Sequence, residues 1–178
     1  IIRYLKKEVE PSAKVLAAVS GGVDSTVAAL LVKKVIGNRL VPVFVNHGLL
    51  RENEVNETLA NLEKIGLKPL IIDAENVFLE KLKGARDCEE RRRIIGELFA
   101  KIFKEIAEKD PSIKYLVQGT TYPDVIESGC VVRADKIKSH HNVAGLPKWL
   151  SLRVIEPLKY LYKDEVRRIA RYLGVPEE

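Results

Sequence analysis

Six residues near the amino terminus, Ser20-Gly21-Gly22-Val23-Asp24-Ser25, bring two hydroxyls, paired glycines and a carboxylate into a spacing that suits a polyphosphate. The apolar run Lys14 to Val19 (KVLAAV) leads into them. Ser25 to Val35 (STVAALLVKKV) leads out with helical spacing. At a junction of strand and helix, several backbone N–H groups face one concave spot and the helix dipole adds positive potential there. Gly21 and Gly22 lack the Cβ that would hold a ligand away. Ser20, Ser25 and Thr26 offer hydroxyl donors, and Asp24 suits Mg²⁺, directly or through water. No lysine follows at the offset of the GxxxxGK[ST] loop that serves γ-phosphoryl transfer. A loop that clamps the β- and γ-phosphates of ATP makes pyrophosphate the stabilised leaving group. The α-phosphorus is then open to in-line attack, and the expected chemistry is adenylation. A glycine-rich turn that merely joins two elements is the competing reading; the coincidence of nest, helix start and acidic residue favours phosphate.

The elements that must position this loop alternate along the chain. Val41 to Val45 reads as a second strand, with Pro42 near its start, and Glu54 to Ile65 as a helix stopped by Gly66. Leu67 to Ile72 gives a third strand. Asp87 is a plausible cap for a long helix whose apolar stripe runs through Ile94, Ile95, Leu98, Phe99, Ile102, Phe103 and Ile106. Tyr115 to Val117 and Arg153 to Ile155 read as the fourth and fifth strands, and a helix from about Lys163 to Leu173 ends at Gly174 and Pro176. Such alternation predicts an α/β fold, a doubly wound parallel five-stranded sheet with helices on both faces and ligands outside the carboxyl ends of the strands. Between the last two strands, Gln118 to Leu150 shows little periodicity, and a stretch of that length reads as a lid loop over about 119–150.

Composition bounds the rest. With 178 residues, 46% hydrophobic and 31% charged, the chain suits one domain, and no apolar run is long enough to span a bilayer. The amino terminus lacks the pattern of a secretory signal, so the expected location is cytoplasmic. Cys88 and Cys130 lie far apart without CxxC spacing, which fits a reducing compartment and gives no zinc site. The net charge of +5 suits handling of anions but is also ordinary surface chemistry. The absence of methionine, position 1 included, reads as a piece of a longer gene product.

The loop resembles that of the PP-loop ATP pyrophosphatases. From about Lys14 to Pro176 the chain further resembles the ATP pyrophosphatase domain of the GMP synthases. Five runs carry this: Ser20 to Ser25, Phe44 to Arg51 (FVNHGLLR), Arg92 to Gly96 (RRIIG), Gln118 to Ser128 (QGTTYPDVIES) and Ile137 to Pro147 (IKSHHNVAGLP). The resemblance implies an enzyme, a ligase that adenylates XMP at O2 with release of pyrophosphate, after which ammonia displaces AMP to give GMP. By the same resemblance Val45, Gln118, Gly119 and Thr120 join the loop in holding ATP. Asp124 and Glu127 belong to the lid and the Mg²⁺–ATP site, with Asp24 as the third metal-facing carboxylate. Lys138, His140 and His141 close over the phosphates, and Arg92 contacts XMP. The implied partners are XMP, ammonia and a glutamine amidotransferase domain or subunit. A homodimer is implied for the full-length protein, with neither membrane nor nucleic acid expected. His47 reads as local hydrogen bonding rather than catalysis.

Departures from the family pattern are Asn46 for a usual aspartate, Cys88 for proline and Ala144 for glycine. The family's C-terminal dimerisation domain and amidotransferase residues are also absent from this sequence. The rival readings are another PP-loop enzyme, especially one that thiolates tRNA through Cys88 and Cys130, and a nucleotide-binding module without chemistry. A NAD synthetase suits less well, because the Ile137 to Val143 run has no place in it.

Overall fold

The computed structural model describes residues 1–130 and 150–176. Helix α1 (Ile2–Glu8) precedes β1 (Lys14–Ala18), α2 (Val23–Ile36), β2 (Leu40–Asn46), α3 (Glu54–Lys64), β3 (Leu70–Asp73), α4 (Glu75–Leu82), α5 (Cys88–Lys109), β4 (Ile113–Val117), α6 (Tyr122–Cys130), β5 (Arg153–Ile155) and α7 (Lys163–Tyr172). The five strands are all parallel, in the order β3-β2-β1-β4-β5. Strand order reverses between β1 and β4, the position at which doubly wound sheets open a crevice above their carboxyl ends.

Alternation along the strands explains both layers. Val15, Ala17, Tyr115 and Val117 point to one face, where Leu5 of α1, Val27 and Val32 of α2, Leu62 of α3 and Val166 of α7 cover them. Leu16, Val43, Val45 and Leu116 point to the other, against Phe78 of α4 and Leu98 and Phe103 of α5. Burial of β1 and β4 on both faces accounts for their near-continuous apolar sequences. Pro42 is tolerated in β2 because pairing with β3 begins only at Val43. Asp87 caps α5 as its position predicts, its carboxylate accepting the Glu90 N–H at 2.8 Å.

Three differences from the sequence reading concern short helices. Tyr122–Cys130, inside the stretch read as a lid loop, is helix α6. Its start is Thr121-Tyr122-Pro123-Asp124, with the Thr121 N–H and Oγ1 both donating to Asp124 Oδ2 at 2.8 Å. That is the carboxylate arm of a capping box, followed by a proline in the first turn where its missing N–H costs nothing. Helices α1 and α4 carry too little pattern for the sequence to mark them, since α1 buries only Leu5 and α4 only Phe78. Among the described residues no helix is long and apolar enough to cross a membrane.

Candidate active site

Ser20 to Ser25 links the end of β1 to the first turn of α2. Gly22 is the N-cap of α2, and no side chain caps that end, so the N–H groups of its first turn are left for a ligand. Ser25 organises the loop from within. Its Oγ donates to the Gly22 carbonyl at 3.0 Å, accepts the Ser20 N–H at 3.2 Å and lies 3.1 Å from Ser20 Oγ. Gly21 has φ +89°, and a Cβ there would stand 2.7 Å from Thr58 Cγ2, so both handedness and space call for glycine. The loop is thereby pressed against α3.

One cavity of about 460 Å³ opens beside the loop. Its polar side is Ser20, Gly22 to Ser25, Gln118, Gly119, Thr120 and Asp124; its apolar side includes Val43 to Val45, Phe99 and Phe103. A triphosphate with an attached heterocycle would use this division: donors at a helix start, then an apolar wall. Gln118 Oε1 is buried with no hydrogen-bond partner among the described residues, an acceptor left for a ligand donor. Gly119 packs on the backbone of α2, where a Cβ would lie 2.9 Å from the Asp24 carbonyl carbon and the Ser25 nitrogen.

Lys163, the first residue of α7, reaches across to form an ion pair with Asp24 Oδ2 and lines the same cavity. No motif in the sequence marks it, because its partner lies 139 residues away. The starts of α6 and α7 are joined as well. The Tyr122 N–H donates to the Leu161 carbonyl at 2.9 Å, and the rings of Tyr122 and Tyr162 meet edge-on with centroids 5.1 Å apart.

The structure thus brings Ser20, Gly21, Gly22, Val23, Asp24, Ser25, Gln118, Gly119, Thr120, Val45 and Asp124 to the carboxyl ends of β1, β2 and β4. Thr26 is 2% exposed, its hydroxyl buried without a partner among the described residues, facing the α3 side of the loop. Asp124 is 9% exposed and committed to capping α6 through one oxygen. Glu127, on the exposed side of α6, is not part of the cavity wall, and no cluster of three potential metal ligands occurs among the described residues. Asp24 fits Mg²⁺ in the usual biological manner, as one carboxylate supplemented by substrate phosphates. Arg92 is exposed on the first turns of α5, outside the cavity wall. Neighbouring Arg93 is engaged by Glu97 at 2.7 Å and Glu90 at 3.9 Å. Lys138, His140 and His141 lie outside the described residues.

His47 sits where the sequence places it, in local hydrogen bonding: its Nδ1 accepts the Leu49 N–H at 3.2 Å. It also packs on Phe78 and Phe99, at centroid distances of 5.9 and 6.1 Å, at the edge of the cavity. Burial holds its imidazole below the usual 6.5.

The family model described as NAD synthase matches residues 1–121. The chain belongs to that family. The match to the NAD synthase family ends at Thr121, ahead of α6 and the Ile137 to Pro147 run. The resemblance to GMP synthases is borne out over nearly the whole chain. It is 57% identical over 164 residues to the glutamine-hydrolysing GMP synthase of Pyrobaculum aerophilum, covering 92% of this chain and 32% of that protein. With that of Aeropyrum pernix it is 54% identical, covering 100% and 34%. The chain therefore spans about a third of the length of these curated relatives. Among solved structures, an NH3-dependent NAD synthetase from Campylobacter jejuni aligns with a TM-score of 0.73 at 15% identity, over 97% of this chain and 70% of that one. A U34-tRNA thiolase from Methanococcus maripaludis aligns at 0.68 and 20%, over 99% and 64%. At such identities these two report the shared fold.

Proposed function

We propose that this chain is the ATP pyrophosphatase part of a GMP synthase, a ligase that adenylates O2 of XMP and then lets ammonia displace AMP. The observation that carries the reading is identity above 50% with GMP synthases along a chain whose loop presents an uncapped helix start beside an apolar slot. The N–H groups at the start of α2, with Ser20 and Ser25, hold the β- and γ-phosphates. The Val43 to Val45 wall takes adenine, with Gln118 as a polar contact. Mg²⁺, when bound at Asp24, neutralises charge that develops on pyrophosphate. Arg92, exposed at the start of α5, is free to meet the xanthine nucleotide. Asp124 orders α6 beside the phosphates, and Glu127 lies on the same helix, ahead of the segment that follows it. Lys138, His140 and His141 in that segment cover the adenylate and keep water from it.

Ammonia, in this reading, comes from a glutamine amidotransferase domain or subunit, and the complete enzyme is a homodimer. The test is a substrate panel. The chain is incubated with ATP, Mg²⁺ and ammonium, together with XMP, nicotinate adenine dinucleotide or tRNA. AMP and pyrophosphate formed with XMP alone support the reading; turnover with either of the other acceptors overturns it.

A further inference from the structure

Lys163 occupies an electrostatically awkward position. It is the first residue of α7, where the helix dipole disfavours a cation, and it faces the uncapped start of α2. Glu165 caps the start of α7 by accepting the Tyr162 N–H at 2.8 Å, whereas the start of α2 has no side-chain cap, and Asp24 in its first turn is the carboxylate that Lys163 pairs with. The pair is placed for exchange: the Lys163 side chain is 46% exposed and that of Asp24 31%, both on the cavity wall, so parting them opens no core. A lysine ammonium on its flexible four-carbon stem can move to another anion close by. A polyphosphate on the α2 start would supply that anion.

We propose that Lys163 is a positioning residue that makes divalent-cation binding at Asp24 conditional on polyphosphate. In the nucleotide-free loop its ammonium occupies the Asp24 carboxylate. When a triphosphate settles on the start of α2, the ammonium transfers to a phosphate oxygen and Asp24 is released to the metal. No bond is made or broken, and the exchange conserves charge: one ion pair is traded for another while the metal arrives with the phosphates. Because coupling free energies are reciprocal, the metal must tighten polyphosphate binding by the same factor. The inference rests on the loop binding the phosphates of ATP.

The test measures Mn²⁺ binding to the chain by electron paramagnetic resonance, with and without pyrophosphate. Lys163→Met should bind Mn²⁺ about two- to fivefold more tightly than wild type when pyrophosphate is absent, the range that release of an exposed ion pair allows. Pyrophosphate should then enhance Mn²⁺ binding less in the variant than in wild type. Lys163→Arg, which keeps the pair, should follow wild type, and Asp24→Asn should lose the protein-bound signal. Equal nucleotide-free Mn²⁺ affinity in Lys163→Met and wild type, with pyrophosphate still bound by wild type, overturns the inference. Failure of wild type to bind pyrophosphate or ATP at all overturns the phosphate reading beneath it.

Discussion

Gly119 rests directly on the backbone of Asp24, so close that a methyl group on its α-carbon would stand 2.9 Å from the Asp24 carbonyl carbon. The contact locks the end of β4 onto the first turn of α2, across the point where strand order reverses. Neither side can yield, because the opposing atoms of Asp24 and Ser25 belong to the main chain. Gly119→Ala should lower stability by about 1–3 kcal/mol, as overpacking does, and should weaken ATP binding more than tenfold by displacing the α2 start. Thermal unfolding together with ATP titration checks both.

Asn46, where the resemblance leads one to expect aspartate, sits between two carboxylates. Its Nδ2 donates to Asp73 Oδ1 at 3.3 Å and Glu75 Oε2 at 3.5 Å, while its Oδ1 accepts the Gly48 N–H at 3.2 Å. An aspartate there would face two carboxylates with no donor between them. Asn46→Asp should cost on the order of 1 kcal/mol at low salt, and the loss should shrink as ionic strength rises. Denaturant unfolding at two salt concentrations measures it.

Asp124 caps α6, and under the proposed function it also supplies charge beside the phosphates; two substitutions separate these roles. Asp124→Ala removes the acceptor for the Thr121 N–H and should destabilise the protein by about 1 kcal/mol, the worth of a helix cap. Asp124→Asn keeps an acceptor oxygen and should unfold close to wild type. Both should lose ATP turnover, because both remove the charge beside the phosphate loop. Full activity in Asp124→Asn would confine the residue to capping.

His47 predicts a pH dependence. Its folded value lies below the usual 6.5 because burial penalises the imidazolium, and Nδ1 must stay unprotonated to accept the Leu49 N–H. The neutral form is thus favoured by folding. The stability it contributes is present above pH 6.5 and is lost as pH falls through the lower folded value. His47→Phe should flatten that part of the stability profile, and an NMR titration of the ring should give a midpoint below 6.5.

The large elements were legible because their signals are strong: β1 and β4 are apolar on both faces, and α5 repeats its stripe over 22 residues. Helix α1 buries only Leu5 and α4 only Phe78, too little for periodicity to register. Helix α6 did leave a signal, the Thr121-x-x-Asp124 box with Pro123, which the surrounding aperiodic stretch masked. The phosphate loop could be read because its chemistry is contiguous. The Asp24–Lys163 pair could not, since only the β3-β2-β1-β4-β5 order brings the start of α7 beside the start of α2.

Under the proposed function the loop grips the β- and γ-phosphates and exposes the α-phosphorus. Phosphorus NMR of the chain turning over ATP with Mg²⁺, XMP and ammonium tests it most directly. AMP and pyrophosphate in equal amounts are predicted; ADP and orthophosphate would contradict the account.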